Sequence, residues 1–220
     1  MIKVPARNVI EIPGSLSFQQ AAAFPLVSVT AMHMLVALGG LQPGEDVLIM
    51  GAGSGVGSAA VQLAKLFGAR VVTTVGTQEK IAKAKELGAD LVINHAQEPI
   101  AARIKDFTGG RGVDVVIEHI GPAVWKECVQ SMAKGGRLIT CGATTGGEVS
   151  LDLRHVYSRQ LTIRGSYMGT RAELVRAAQL MGQGKLRAVV DCVFPLQEAR
   201  AAQDYLLSRR FFGKILLEIA

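Results

Sequence analysis

Residues 51–57 read Gly51-Ala-Gly53-Ser-Gly55-Val-Gly57, four glycines at alternate positions. An apolar run, VLIM at 47–50, leads into them, and an amphipathic stretch, SAAVQLAKLF, leads out. Holding a phosphate needs that setting: a bare backbone that oxygen can approach, followed by a helix whose first N–H groups and dipole face the anion. Gly55 and Gly57 lack a Cβ, so a diphosphate can come close and the helix can lie tight against its strand. The spacing is not the strict G-x-G-x-x-G. Counted from Gly51, Gly53 or Gly55, the last glycine position falls on Val56, Ser58 or Ala60. Taken alone, the run is also compatible with a tight strand-to-helix turn that holds no ligand. Its place after the first of six strand-like runs favours the pyrophosphate of a nicotinamide dinucleotide.

An acidic residue that reads the adenosine ribose should lie about 20 residues further on, at the end of the next strand. Residues 74–77 there are Thr-Val-Gly-Thr, and the first acid is Glu79. Small residues at Gly76 and Thr77 leave room for a 2′-phosphate that Lys80 could neutralise, so NADP(H) is favoured over NAD(H). Lys80 could equally be a solvated lysine on an exposed helix face. Metal chemistry finds little support. His33, His95, His119 and His155 are widely spaced, and Cys128, Cys141 and Cys192 form no Cys-x-x-Cys pair, so neither zinc nor a disulfide framework is expected in this chain. Glu118-His119 stands at the end of the fourth strand near the cofactor edge, but one pair does not make a site. No catalytic acid, base or metal ligand can be named.

The elements that must position these residues alternate regularly. Strand-like runs occupy 47–50, 71–75, 91–93, 113–117, 138–141 and 161–163, continuously apolar in the manner of strands buried on both faces of a parallel sheet. Helical spacing fills 55–67, 78–87, 98–107 and 122–133, while the last crossover, 142–160, is irregular. The expected fold class is α/β, a doubly wound six-stranded parallel Rossmann sheet. Gly68 and Gly88 read as helix stops and Thr77 as an N-cap. Ser17-x-x-Gln20 and Thr170-x-x-Glu173 read as capping boxes. A helix is expected over 27–38 and another near 197–207. The runs VVDCVFPL and KILLEI near the end have no evident partners in the sheet.

Composition bounds the rest. The 220 residues are 49% hydrophobic and 19% charged, as suits a globular fold and not a disordered one. The net charge of +6 is spread along the chain, with Arg209-Arg210 its densest point and no interleaved aromatics, so a nucleic-acid partner is not expected. The N-terminus has no apolar signal-like region, and the longest apolar stretch, 24–38, is interrupted and too short to span a bilayer. A cytoplasmic protein without membrane association is expected.

Read together, FPLVSVTAMHMLVALGGLQPGEDVLIMGAGSGVGSAAVQLAKLFGARVVTTVGTQEKIAKAKELGAD, GGRGVDVVIEHIG, the AKGGRLITCGATTG run and FGKILLEI resemble the medium-chain dehydrogenase/reductase superfamily. The likeness is strongest to its quinone oxidoreductase-like and zinc-type alcohol dehydrogenase-like branches, and it covers nearly the whole chain. It implies flanking elements of an incomplete GroES-like catalytic domain: 1–26 a remnant of that domain with a linking helix, 27–187 the dinucleotide-binding domain, 188–220 a return segment. It also implies roles. Thr30 would face the nicotinamide, although its hydroxyl could instead bond within its own helix. Gly53, Ser54, Gly55, Val56 and Gly57 would hold the pyrophosphate, and Gly76, Thr77 and Lys80 the adenosine phosphate. His95 would line the adenosine pocket or be a surface histidine. Ile120, Gly142, Ala143, Thr144, Ser166, Tyr167 and Met168 would meet the ribose and carboxamide, and Lys214 is a weaker match to a basic residue near the phosphates. Where zinc-using relatives place one ligand, this chain has Leu26.

The resemblance implies hydride transfer between a nicotinamide cofactor and a small carbonyl, alcohol, enone or quinone substrate, with little activity expected of this chain alone. It also implies a homodimer pairing sheet edges near 160–167. Two other readings are a truncated non-catalytic module that binds NADP(H) or nucleic acid, and an S-adenosylmethionine-dependent methyltransferase. The latter would want an acid ending the second strand and a reversed last strand.

Overall fold

The computed structural model describes residues 3–219; the ends of the first and last expected segments, residues 1–2 and 220, lie outside the described residues. The strands are β1 (Asp46–Ile49), β2 (Arg70–Val75), β3 (Leu91–Asn94), β4 (Val113–Glu118), β5 (Met132–Thr140) and β6 (Thr162–Gly165). They form one sheet in the order β3-β2-β1-β4-β5-β6. Every pair is parallel, β6 included. A reversed last strand, which the methyltransferase reading wants, is not found there.

Continuous apolar runs make this sheet because both faces are covered. Val47, Ile49, Val71, Val115 and Ile117 turn to one core, while Leu48, Met50, Val72, Val116 and Leu138 turn to the other. The first face packs helices α2 (Pro25–Met32), α3 (Gly55–Leu66), α4 (Lys80–Glu86) and, further along the chain, a helix over Arg171–Gly182, while α1 (Phe18–Ala23) packs on α2. The second packs α5 (Ile100–Phe107) and α6 (Pro122–Ser131), with Trp125 buried among them. A short α7 (Leu153–Ser158) precedes β6, and Arg171–Gly182 is α8. Both expected capping boxes are present, at Ser17/Gln20 and Thr170/Glu173. Gly68 and Gly88 follow α3 and α4 with φ of +80° and +101°.

Several expectations change in detail. Thr77 is not the N-cap of α4: the helix begins at Lys80, Glu79 occupies the cap, and Thr77 offers only its carbonyl to the Lys80 N–H at 3.3 Å. The helix expected over 27–38 starts at Pro25 and keeps the α-helical hydrogen-bond pattern only to Met32; His33–Leu38 is a π-helix. β5 starts at Met132, six residues before the apolar run that marks it. The late strands also find partners. β7 (Val190–Pro195) and β8 (Lys214–Glu218) pair with each other, parallel, outside the main sheet, and α9 (Ala199–Leu207) connects them.

The two ends of the main sheet have different jobs. At the N-terminal end, buried Asp46 receives Arg70 (Nε to Oδ1, 2.7 Å) and Arg111 (Nη2 to Oδ2, 2.5 Å), while its own N–H donates to Asp114. That cluster ties β1, β2 and β4 in register. The C-terminal end carries the residues singled out in the sequence, at the switch between β1 and β4 where the strand order reverses.

Candidate functional site

β1 ends at Ile49, and Met50 and Gly51 continue as bonded backbone: Met50 N–H reaches Ile117 O at 3.0 Å, and Gly51 N–H reaches Thr74 Oγ1 at 3.0 Å. Gly51 then turns with φ +66°, a left-handed conformation that a side chain disfavours. Ser54 caps α3, its Oγ accepting Gly57 N–H at 2.8 Å. Gly57 is required by contact: a Cβ there would lie 2.1 Å from the Gly51 carbonyl oxygen. A Cβ at Gly55 would meet Val27 Cγ1 at 2.7 Å, so α2 also presses on the turn. The N–H groups of Gly55 and Val56, in the first turn of α3, have no intrahelical acceptor. The turn is therefore a bare, closely packed backbone with free donors at a helix N-terminus, which is what an anion requires.

The residues expected on the adenosine side come together at the ends of β2 and β3. A Cβ at Gly76 would sit 3.5 Å from His95 Nε2. Burial pushes the His95 imidazole below its ordinary range, and the nearby Lys80 charge adds to this. Thr77 is exposed beside them. Lys80 is not a freely solvated lysine. Its Nζ donates to Arg209 O at 2.6 Å and stands 5.6 Å from the centre of the Phe211 ring, and burial lowers its pKa.

Of the 209–214 segment only Lys214 is expected near this region, yet residues 209–213 also border it. Gly213 N–H donates to Gly53 O at 2.8 Å, and a Cβ on Gly53 would touch Phe212 Cδ2 at 3.2 Å. Lys214 Cδ lies 2.9 Å from where a Gly55 Cβ would be. The resemblance points to Lys214 beside the phosphates, and the structure sets that residue against the turn; Arg209-Arg210 reads in sequence as charge alone.

The residues expected to face the nicotinamide lie at or after the ends of β4, β5 and β6, apart from Thr30 on α2. Buried Glu118 accepts the N–H groups of Ile120 and Gly121 and the Thr140 hydroxyl, which shapes the chain leaving β4. Thr144 Oγ1 donates to His119 O at 3.0 Å, and Thr145 does the same to Ile120 O at 2.8 Å, lacing the two loops together. A Cβ at Gly142 would lie 2.8 Å from His119 O, whereas Ala143 and Thr144 are exposed. Ser166 N–H bonds to Thr140 O, but its Oγ is a buried hydroxyl without a partner. Tyr167 is 92% exposed, and Met168 follows with φ +59°. Thr30 lies on α2, one turn after Val27, and its hydroxyl donates to Leu26 O at 2.8 Å; the bond within its own helix is the one observed.

A nicotinamide dinucleotide fits this edge on two structural counts. One is the Gly57 contact with its free amides, and the other is the orphaned Ser166 hydroxyl. Residues 55–183 match the family described as zinc-binding dehydrogenase. The chain belongs to that family, within the medium-chain dehydrogenase/reductase superfamily. It is 32% identical over 218 residues to quinone oxidoreductase 1 of Escherichia coli (strain K12), covering 94% of this chain and 66% of that protein. It is 34% identical over 217 residues to an alcohol dehydrogenase of Geobacillus stearothermophilus, covering 99% and 63%. Among solved structures, an NAD-dependent alcohol dehydrogenase superposes with a TM-score of 0.94 at 42% identity, over 99% of this chain and 63% of that one. The 2-octenoyl-CoA carboxylase reductase CinF, solved with NADP and 2-octenoyl-CoA, gives 0.89 at 30% identity, over 97% and 53%. The chain thus spans less than two thirds of the length of these relatives.

The family description speaks of zinc. Among the described residues no group of three or more His, Cys, Asp or Glu side chains is placed to hold a metal ion. No helix among them is long and apolar enough to cross a membrane.

Proposed function

We propose that the chain is the dinucleotide-binding part of an oxidoreductase that moves hydride between a nicotinamide cofactor and a carbonyl, alcohol, enone or quinone substrate. The observation that carries this is the glycine turn at the switch point, closed by the 2.1 Å approach at Gly57 and open at the Gly55 and Val56 amides. Hydride chemistry belongs to the bound cofactor. The residues of the chain bind and orient. Gly53, Ser54, Gly55, Val56 and Gly57 hold the pyrophosphate, with Lys214 beside the turn. Thr30, Ile120, Gly142, Ala143, Thr144, Ser166, Tyr167 and Met168 line the nicotinamide end, where the unpartnered Ser166 hydroxyl is free to meet a polar ligand group.

NADP(H) is the preferred cofactor in this reading. No carboxylate stands at the end of β2 to repel a 2′-phosphate, and in this reading that phosphate is neutralised by Lys80, whose charge acts on His95 next to Gly76. The relatives include both an NAD-dependent enzyme and one solved with NADP, so the choice rests on these residues. Dissociation constants for NADPH and NADH, measured on the chain and on Lys80→Ala, test it. We expect tighter NADPH binding, with the substitution weakening NADPH roughly tenfold and leaving NADH unchanged, as the loss of one charge-assisted contact implies. A preference for NADH that ignores the substitution would sink the 2′-phosphate assignment.

The substrate would be held partly by a further domain packed on the β7–β8 side. Support comes from the apolar surface left there: Leu207 is 77% exposed, and Val193 and Leu217 are exposed as well. The segments 1–26 and 188–220 then belong with that domain and 27–187 with the cofactor. Turnover by the chain on its own should be small, and the assembled protein should pair through the β6 edge.

A further inference from the structure

We propose that His119 is a positioning residue that makes the Ser54 hydroxyl an obligate proton donor to an anion held in the glycine turn; the inference rests on reading that turn as a dinucleotide site. His119 follows β4 and its ring lies under the turn, where a Cβ on Gly51 would be 3.4 Å from Cε1. Its Nε2 lies 3.0 Å from the Met50 carbonyl oxygen and 3.1 Å from Ser54 Oγ. A carbonyl can only accept, so Nε2 carries the proton and has no lone pair for a hydroxyl to donate into. Burial also holds the imidazole below its ordinary pKa, so near neutral pH the ring has a single N–H, at Nε2.

Ser54 Oγ then faces two N–H groups, those of His119 and of Gly57, and a hydroxyl oxygen has two acceptor positions. Both are used. The hydroxyl proton must point away from each, and no acceptor for it is found among the described residues. Because Ser54 caps α3, that proton is presented at the helix N-terminus with the free Gly55 and Val56 amides. Without His119, Ser54 could turn its proton inward to the Met50 carbonyl region and offer an anion only lone pairs.

The test measures affinities for NADPH and for adenosine 2′-phosphate, which lacks the diphosphate, on the chain and on Ser54→Ala, His119→Phe, His119→Gln and the Ser54→Ala/His119→Phe double variant. Ser54→Ala and His119→Phe should each weaken NADPH on the order of tenfold, as expected for a hydrogen bond to a charged group, and leave adenosine 2′-phosphate unchanged. The double variant should bind no more weakly than Ser54→Ala alone. His119→Gln, whose amide N–H can reach the Nε2 position, should restore most of the loss. Long-range ¹⁵N–¹H spectra of the unsubstituted protein should show a proton on Nε2 and none on Nδ1, a readout independent of whether any variant folds. A ring protonated at Nδ1, additive losses in the double variant, or equal weakening of both ligands would overturn the proposal. Failure of the unsubstituted chain to bind NADPH at all would instead remove the dinucleotide reading and this inference with it.

Discussion

Glu118 shows how a residue can look catalytic in sequence and act as a frame in structure. It sits beside His119 at the end of a parallel strand, where acids and bases of α/β enzymes are often found. The structure buries its carboxylate completely and satisfies it with the N–H groups of Ile120 and Gly121 and the Thr140 hydroxyl. Its work is to hold the β4 exit and the end of β5 in one arrangement. A glutamine there would point an NH2 group at one set of these donors. Glu118→Gln is therefore expected to lose about 2 kcal/mol of stability through a buried donor left without an acceptor, read as a lower urea midpoint at unchanged slope. The turn residues Gly51 to Gly57 were legible because their need is steric and local. Lys80 was only half legible: its type and position can be read, but its bond to Arg209 O joins residues 129 apart, which no local pattern encodes.

Elements followed the sequence where one physical cause dominates. The inner strands are recognisable because burial on both faces demands unbroken apolar runs, and their order follows from right-handed crossovers. Boundaries moved where backbone conformation decides instead. β5 extends back to Met132 across Gly135 and Gly136, with Gly135 at φ +76°, a pair that reads as a turn in sequence. The π-helix at His33–Leu38 keeps nearly the same apolar spacing as an α-helix and leaves no separate mark. β7 and β8 each lack a signal for the other, since their pairing spans α9. The β6 edge is the element with the plainest unmet need. It is four residues long, half-buried to exposed, and followed by an almost fully exposed Tyr167. If two copies join their sheets there, light scattering should give twice the chain mass, and Ile163→Pro, which removes a backbone donor from the edge strand, should shift the population to monomer. A monomer at all working concentrations would count against edge pairing.

At the scale of the whole molecule, the sheet separates two functions. Its N-terminal end is clamped by the Asp46, Arg70, Arg111 and Asp114 cluster, and its C-terminal end is left bare along the line from His95 through the glycine turn to Ser166. Rigidity at one end lets the other present donors in fixed positions without a closed pocket of its own. Substrate recognition was not legible, because the exposed Val193, Leu207 and Leu217 on the β7–β8 side are apolar surface that specifies no substrate chemistry. Family membership and fold follow from residues the chain contains.

The central claim, that the glycine turn holds a nicotinamide dinucleotide, is tested most directly by titrating NADPH into the chain and into Gly57→Ala while following nicotinamide fluorescence. A methyl group at 57 would enter the space of the Gly51 carbonyl and push α3 off the turn, so the account predicts saturable binding to the unsubstituted chain and affinity lower by roughly tenfold or more in a variant that keeps its circular dichroism. Equal affinity in the two proteins, or none in the unsubstituted chain, would contradict it.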